Sequence, residues 1–251
     1  MDWSTKRKVT YGVATIFFIF AIGAYLFQNV LFPEPTCFDV KQNGFEVGVD
    51  CGGECALRCT SEIVPIKVTW ARALSVGNNR YDLVGLVENK NIDNTPKEIG
   101  YKFSVFGKDG AEIFVYTGTT TISVEDEKPI IVSNKLVNGT PDKTTLTIFP
   151  AQHFTANEKP KSPLVRTLRV RHEDGDIPRV YVTLKNMTQK SFADLPVRVV
   201  LYDSNRNAIA AGETLIKSLN PEAEPEIVFT WNERFSSPVA STVVYYDFKS
   251  F

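Results

Sequence analysis

Histidine is nearly missing from this chain: only His153 and His172 occur in 251 residues. Neither lies in a Gly-x-Ser-x-Gly or His-Glu-x-x-His setting, and no Walker loop or dinucleotide fingerprint is present. A general base must be held within hydrogen-bond reach of the proton it takes, so two isolated histidines give no catalytic constellation. Charge bias is lacking too. Lys and Arg number 28 against 29 Asp and Glu, a net charge of −1, and no basic stripe is legible beyond the first residues. Polyanions are held by clustered cations that displace counterions, so nucleic acid is not an expected partner. Cysteine is confined to one window, Cys37 to Cys59, and no charge at all appears between Val9 and Phe32.

That uncharged run ends at Pro33-Glu34-Pro35. As a helix it would rise about 36 Å, enough to cross a hydrocarbon core of about 30 Å with modest tilt. Lys6, Arg7 and Lys8 precede it, and positive residues stay on the cytoplasmic side. The sequence therefore predicts residues 1–8 as a cytoplasmic tail and 9–32 as a signal anchor in the lipid bilayer. Everything after residue 32 then lies on the far side of the membrane, periplasmic or extracellular. A cleaved signal peptide is the rival reading, with Ile22-Gly23-Ala24 as its small-residue site; the run's continuation through Phe32 favours the anchor.

Four cysteines in an exported segment point to two disulfides among Cys37, Cys51, Cys55 and Cys59, with three possible connectivities. Residues 33–61 then form a stapled neck. Zinc is a poorer reading, because one 13-residue gap and two three-residue gaps lack the paired knuckles of a zinc ribbon. Asp39, Asn43, Glu46 and Asp50 are oxygen ligands suited to calcium, the one cofactor the sequence raises. The segment Cys37-Phe38-Asp39…Gln42-Asn43…Glu46-Val47-Gly48-Val49-Asp50-Cys51-Gly52-Gly53-Glu54-Cys55 resembles a small cysteine-rich module of secreted and surface proteins. Over these roughly 25 residues one departure stands out: the module carries Gly where this chain has Val40. The resemblance implies location and stapling, not chemistry.

Beyond Cys59 the periodicity is two, the signature of half-buried strands. Strands are predicted at 64–74, 81–88, 99–106, 112–121, 130–133 and 144–149. After a polar, proline-containing linker over 151–163, they resume at 164–171, 179–185, 195–202, 208–215, 226–231 and 239–248. Asp109-Gly110 predicts a hairpin with a primed turn. The acidic runs 124–128 and 172–176 are read as solvated turns, with Asp174-Gly175-Asp176 a weaker metal candidate. Trp70, Trp231, Tyr245 and Tyr246 fall in strands, where core packing or a lone surface aromatic is the favoured reading. Because Tyr245 and Tyr246 point to opposite sheet faces, an exposed aromatic marking a contact surface is the competing one.

The halves 62–150 and 164–251 look related. Gly85-Leu86-Val87-Glu88-Asn89 aligns with Val182-Thr183-Leu184-Lys185-Asn186, and Phe103–Asp109 aligns with Val199–Asn205. Val197-Arg198-Val199-Val200-Leu201-Tyr202-Asp203 resembles the V-x-V-x-L-Y-D strand of bacterial FxLYD-like and immunoglobulin-like envelope domains. That resemblance implies a non-enzymatic binding or spacer role. The fold class expected is mainly β: one transmembrane helix, a stapled neck and two tandem immunoglobulin-like sandwiches. Expected partners are the bilayer and envelope or membrane proteins. Three functions stay open: a scaffold or adhesive surface, an accessory subunit of a secretion, pilus or transport complex, and an envelope-polymer hydrolase.

Overall fold

The computed structural model describes residues 2–31, 35–57, 59, 63–91, 94–96, 98–149, 154–156 and 164–247. The chain divides into two compact units, Met1–Cys59 and Thr60–Phe251.

The first unit opens with helix α1 (Trp3–Leu31), about 44 Å long. It starts six residues before the apolar run. Asp2 caps it by accepting from the Trp3 N–H at 2.9 Å, so Lys6, Arg7 and Lys8 lie in its first turns. Arg7 stacks 4.1 Å from the Trp3 ring centroid. Thr10 and Thr15 return their hydroxyl protons to the carbonyls four residues back, which hides polar groups in an apolar helix. By length and composition α1 can cross a membrane. After it, residues 37–59 form an irregular module with no strand longer than a bridge between Gly48 and Cys51.

The second unit is all β. Strands β1 (Lys67–Gly77), β2 (Arg80–Asn89), β3 (Asn94–Pro96), β4 (Ile99–Phe106), β5 (Glu112–Thr120), β6 (Asp126–Leu136) and β7 (Lys143–Ile148) come first. They are followed by β8 (Phe154–Ala156), β9 (Val165–Glu173), β10 (Arg179–Asn186), β11 (Phe192–Tyr202), β12 (Ala208–Leu219), β13 (Glu226–Thr230) and β14 (Ser241–Tyr246). All pairings are antiparallel, in the orders β1-β2-β6 with β5-β4-β7, and β9-β10-β13 with β12-β11-β14. Setting β9–β14 against β1, β2, β4, β5, β6 and β7 superposes the two orders, so the halves share one topology. The predicted linker contains β8, which pairs with β3; the rest of it, His153 included, lies outside the described residues.

Both sequence alignments fall on the central strands. β2 matches β10 and β4 matches β11. Each central strand of the first pair ends on a buried asparagine, Asn89 or Asn186. Each accepts a hydrogen bond from the backbone N–H two residues on, at 3.0 and 2.9 Å. Asn186 also donates to the carbonyls of Lys190, Leu219 and Asn220.

Each half has its own core between its two sheets. Phe103, Leu83, Val87 and Val105 anchor the first, and Val182, Leu184, Val199 and Leu201 the second. Gly85 matters in the first: a Cβ there would strike Leu146 and crowd the Phe103 ring, so the absent side chain admits two large ones. A third core lies between the halves. Leu74 and Val84 meet Val200, Ala208 and Ala211, with Trp70, Ile131, Tyr202 and Tyr245 around them. Four sheets thus stack around three hydrophobic layers, and sheet β1-β2-β6 faces sheet β12-β11-β14.

Two expectations change. The Asp109-Gly110 turn is not primed: of the pair only Gly110 has positive φ. Gly107 accepts from the Gly110 N–H and donates to the Ala111 carbonyl, a wider loop with a register shift at Val105/Phe106. The run 124–128 is not a solvated turn either, since Val124 and Lys128 are buried and β6 begins at Asp126.

Candidate functional site

The neck cysteines pair as Cys37–Cys55 and Cys51–Cys59, so no thiolate is left for zinc. The four calcium candidates are brought near one another but not around a common point. Asp50 Oδ1 accepts from the N–H groups of Asp39 and Val40, at 2.9 and 3.1 Å. Glu46 Oε2 accepts from Asn43 and Asp50 N–H. Asp39 accepts from Lys41 N–H and from the Asn43 amide, bonds that hold its carboxyl below the usual range, the Asn43 bond foremost. Among the described residues, no three carboxylates of this segment converge as ligands. These oxygens serve as turn caps in a chain with little regular secondary structure. At the position where the module carries Gly, Val40 sits at φ +60°, a conformation costly for a β-branched residue. Gly53 is required where it stands, because a Cβ at its φ of +59° would overlap the Phe45 carbonyl oxygen.

The tyrosine pair follows the core-packing reading, not the exposed-contact one. Neither is exposed: Tyr246 packs into the second core and bonds Thr167, while Tyr245 joins the layer between the sandwiches. The contact surface that Tyr245 marks is therefore internal to the chain. The L-Y-D signature reads the same way. Leu201 fills the second core, Tyr202 meets Trp70 edge-on at 6.2 Å, and Asp203 accepts from Asn207 and Asn205 N–H at 2.7 and 2.9 Å to close the following turn. The Asn207 bond leads in holding Asp203 below the ordinary carboxylate range.

An ionic knot crosses the same junction. Lys128 is only 4% exposed. Its ammonium donates to Asp247 and, at 2.8 Å, to the Thr121 carbonyl. Arg198 donates to Asp247 at 3.1 Å and pairs with Glu213. Burial pushes the Asp247 carboxyl up, but Lys128 and Arg198 together outweigh it and hold the group below its ordinary value. Sequence reasoning missed Lys128, Arg198 and Asp247. The available signal was Arg198, one charge inside an apolar strand whose alternation puts it on the outer face.

A polar crevice of about 900 Å³ opens between the sandwiches, lined by Arg72, Asp82, Asn134, Asp203, Asn207 and Glu233 among others. Most of these groups are engaged with one another. Arg72 donates to Asn207 at 2.7 Å, and Arg80 donates to the Asn134 carbonyl at 3.0 Å. Asp82 is buried; burial raises its pKa, against a 2.7 Å bond from the Asn134 N–H. A carboxyl whose folded pKa is raised adds relative stability below its unfolded pKa and loses it as pH climbs through the folded one. Asp82→Asn is therefore expected to raise Tm by about 2–4 °C at pH 7, with the gain shrinking toward acid. A thermal melt series showing a pH-independent difference would refute this.

His172 donates to or accepts from Thr242 at 2.8 Å on an exposed strand end, and among the described residues no carboxylate pairs with it. Asp176 of the Asp174-Gly175-Asp176 loop pairs with Arg234.

No family model matches this chain, and no curated protein matches it. Among solved structures it is similar to red sea bream transglutaminase, at 10% identity and a TM-score of 0.24, over 74% of this chain and 29% of that one. The chain spans less than a third of that protein, and a likeness so distant says nothing of activity.

Proposed function

We propose that this chain is a non-enzymatic, membrane-anchored interaction protein whose two sandwiches form one stiff presenting body outside the membrane. A single N-terminal apolar helix ahead of a β-sandwich fold fits a membrane-anchored extracellular domain. The observation that carries the finer reading is the third core. Trp70, Val84, Val200, Tyr202 and Tyr245 join the sandwiches, and the Lys128–Asp247–Arg198 knot seals the junction. A hinged pair of domains would leave that junction wet and small. Here an apolar layer and a buried ion pair cross it, even though part of it is a polar crevice, which suits a spacer that holds surfaces at fixed offset. The basic cluster before the apolar run supports an N-in orientation. The resemblance of the Leu201-Tyr202-Asp203 strand to envelope domains supports the setting by analogy.

A second reading, an accessory subunit of a secretion, pilus or transport complex, is favoured by α1 itself. Gly12, Ala14 and Ala24 stand among its exposed residues, and small residues let helices approach closely in lipid. Protease added to intact cells and mild-detergent co-purification test both. Digestion of the Thr60–Phe251 unit from outside is expected, with the helix protected. A stoichiometric membrane complex selects the subunit reading. Complete protection of the sandwiches from external protease, or polymer turnover abolished by one carboxylate substitution, defeats the proposal.

A further inference from the structure

The outer face of sheet β9-β10-β13 is the topological counterpart of the face that the first sandwich buries. There the first sandwich carries Trp70, Leu74, Val84 and Ile131. Here the second carries arginines. In a regular strand side chains alternate, so the spacing Arg166-x-x-Arg169-x-Arg171 would set Arg166 opposite to the other two. A bulge corrects this. Arg171 opposes Tyr181, Arg169 opposes Thr183 and Arg166 opposes Lys185, with Leu168 the unpaired residue at the shift. The bulge re-aims Arg166 onto the shared face, while Val165 and Val170 point into the core. No stripe was legible in the sequence because the bulge makes it.

All three guanidiniums are exposed. Among the described residues Arg166 and Arg169 have no ion pair or hydrogen bond. Arg171 lies 3.7 Å from the Tyr181 ring centroid. The carboxylates nearby are mostly engaged. Glu173 accepts from the Tyr181 hydroxyl at 2.7 Å and sits 3.9 Å from Arg179. Glu222 and Glu224 pair with Lys185, and Glu226 lies across the sheet on β13, opposite Thr183. Three like charges in file outweigh Glu226, which shares that face, and attract a multivalent anion.

We propose that this face binds a linear phosphodiester polymer of the cell surface, with the guanidinium forks of Arg166, Arg169 and Arg171 each taking the non-bridging oxygens of a phosphate. The planar fork matches phosphate in bidentate fashion. Arg169 and Arg171, two residues apart, are about 6.7 Å apart along the strand. A phosphate–three-carbon repeat has six backbone bonds and, at an extended chain's rise of about 3.6 Å per three bonds, repeats about every 7 Å. An anionic bilayer fits less well, since the strong negative surface potential belongs to the cytoplasmic leaflet. Single-stranded nucleic acid shares the six-bond repeat but gains affinity by stacking on open aromatic rings, and Tyr181 is covered by Arg171.

The inference rests on the function proposed above only for where the polymer is met; binding by purified protein is a separate outcome from the protease result. The full chain in nanodiscs of zwitterionic lipid is titrated with poly(glycerol phosphate), a polyuronate of equal charge and oligothymidylate. Preferred binding of the glycerol phosphate polymer is expected, weakening as salt rises. The pair R169Q/R171Q is expected to weaken it about tenfold or more with Tm unchanged, and K102Q on β4, in the other sandwich, to leave it intact. No binding, equal binding of either rival polymer, or an R169Q/R171Q variant that binds like wild type overturns the proposal.

Discussion

Reduction of the two neck disulfides is expected to unfold residues 37–59 while the Thr60–Phe251 unit melts as before. The module has almost no apolar interior. Phe38 and Phe45 are 85% and 77% exposed, and its buried hydrophobic residues are Cys55 and Cys59 themselves. What holds it is covalent closure plus side-chain caps. In the chain-entropy account, closing separations of 18 and 8 residues contributes about 3 and about 2.5 kcal/mol. Nothing else in the segment approaches that sum. The caps from Asp50 and Glu46 each satisfy backbone donors, but only in a chain already folded back by the cross-links. Limited proteolysis with and without reductant, read by mass spectrometry, checks the outcome: cleavage should appear within 37–59 and spare β1 to β14. A reduced module as resistant as the oxidised one would show that the caps suffice.

Asp247→Ala is expected to destabilise the Thr60–Phe251 unit by about 3–5 kcal/mol, because it strands a buried ammonium. Arg198 retains Glu213, but Lys128 keeps only the Thr121 carbonyl. Lys128→Met should cost far less, since an apolar chain of similar length fills the same space and leaves Asp247 to Arg198. The asymmetry between the two variants is the test: equal losses in thermal or urea melts would argue against a truly desolvated pair. The acid limb follows from the sign of the Asp247 shift. Its folded pKa lies below the ordinary carboxylate value. Its contribution is therefore complete above that ordinary value and disappears as pH falls through the folded pKa. Wild type and Asp247→Ala should accordingly converge in strongly acidic solution.

The strands were legible because apolar alternation survives on every inward face: β4 follows its predicted bounds, β2 and β7 differ by one residue at each end, and β10 by one at its last residue. The repeat was legible for a physical reason as well. Asn89 and Asn186 fill the same buried position, so both halves keep an amide there. What could not be read was the identity of each outer face. Trp70 and Tyr202 alternate like any surface aromatics, and only the packing of one sheet on another makes them a core. Lys128 followed three acidic or apolar residues and looked solvated; its partner lies 119 positions away. The arginine row depended on one extra residue in β9, a change of phase that composition does not reveal. In the neck the cysteines announced stapling, but not which sulfur met which. The carboxylates beside them looked like ligands because capping and metal binding ask for the same oxygens.

The join between the sandwiches is of the head-to-tail kind: the β1-β2-β6 face of one half meets the β12-β11-β14 face of the other. Such a join does not close on itself, and two complementary kinds of face are left over at the ends of every chain. Were the outer face of β9-β10-β13 as apolar as its counterpart, a second chain could seat its β5-β4-β7 sheet there, then a third, and the product would be a fibre. Arg166, Arg169 and Arg171 occupy that end, and Lys102 and Lys143 sit on the other sheet. Positive charges on both outer faces work against that chain-to-chain stacking, although the internal join is of a kind able to propagate.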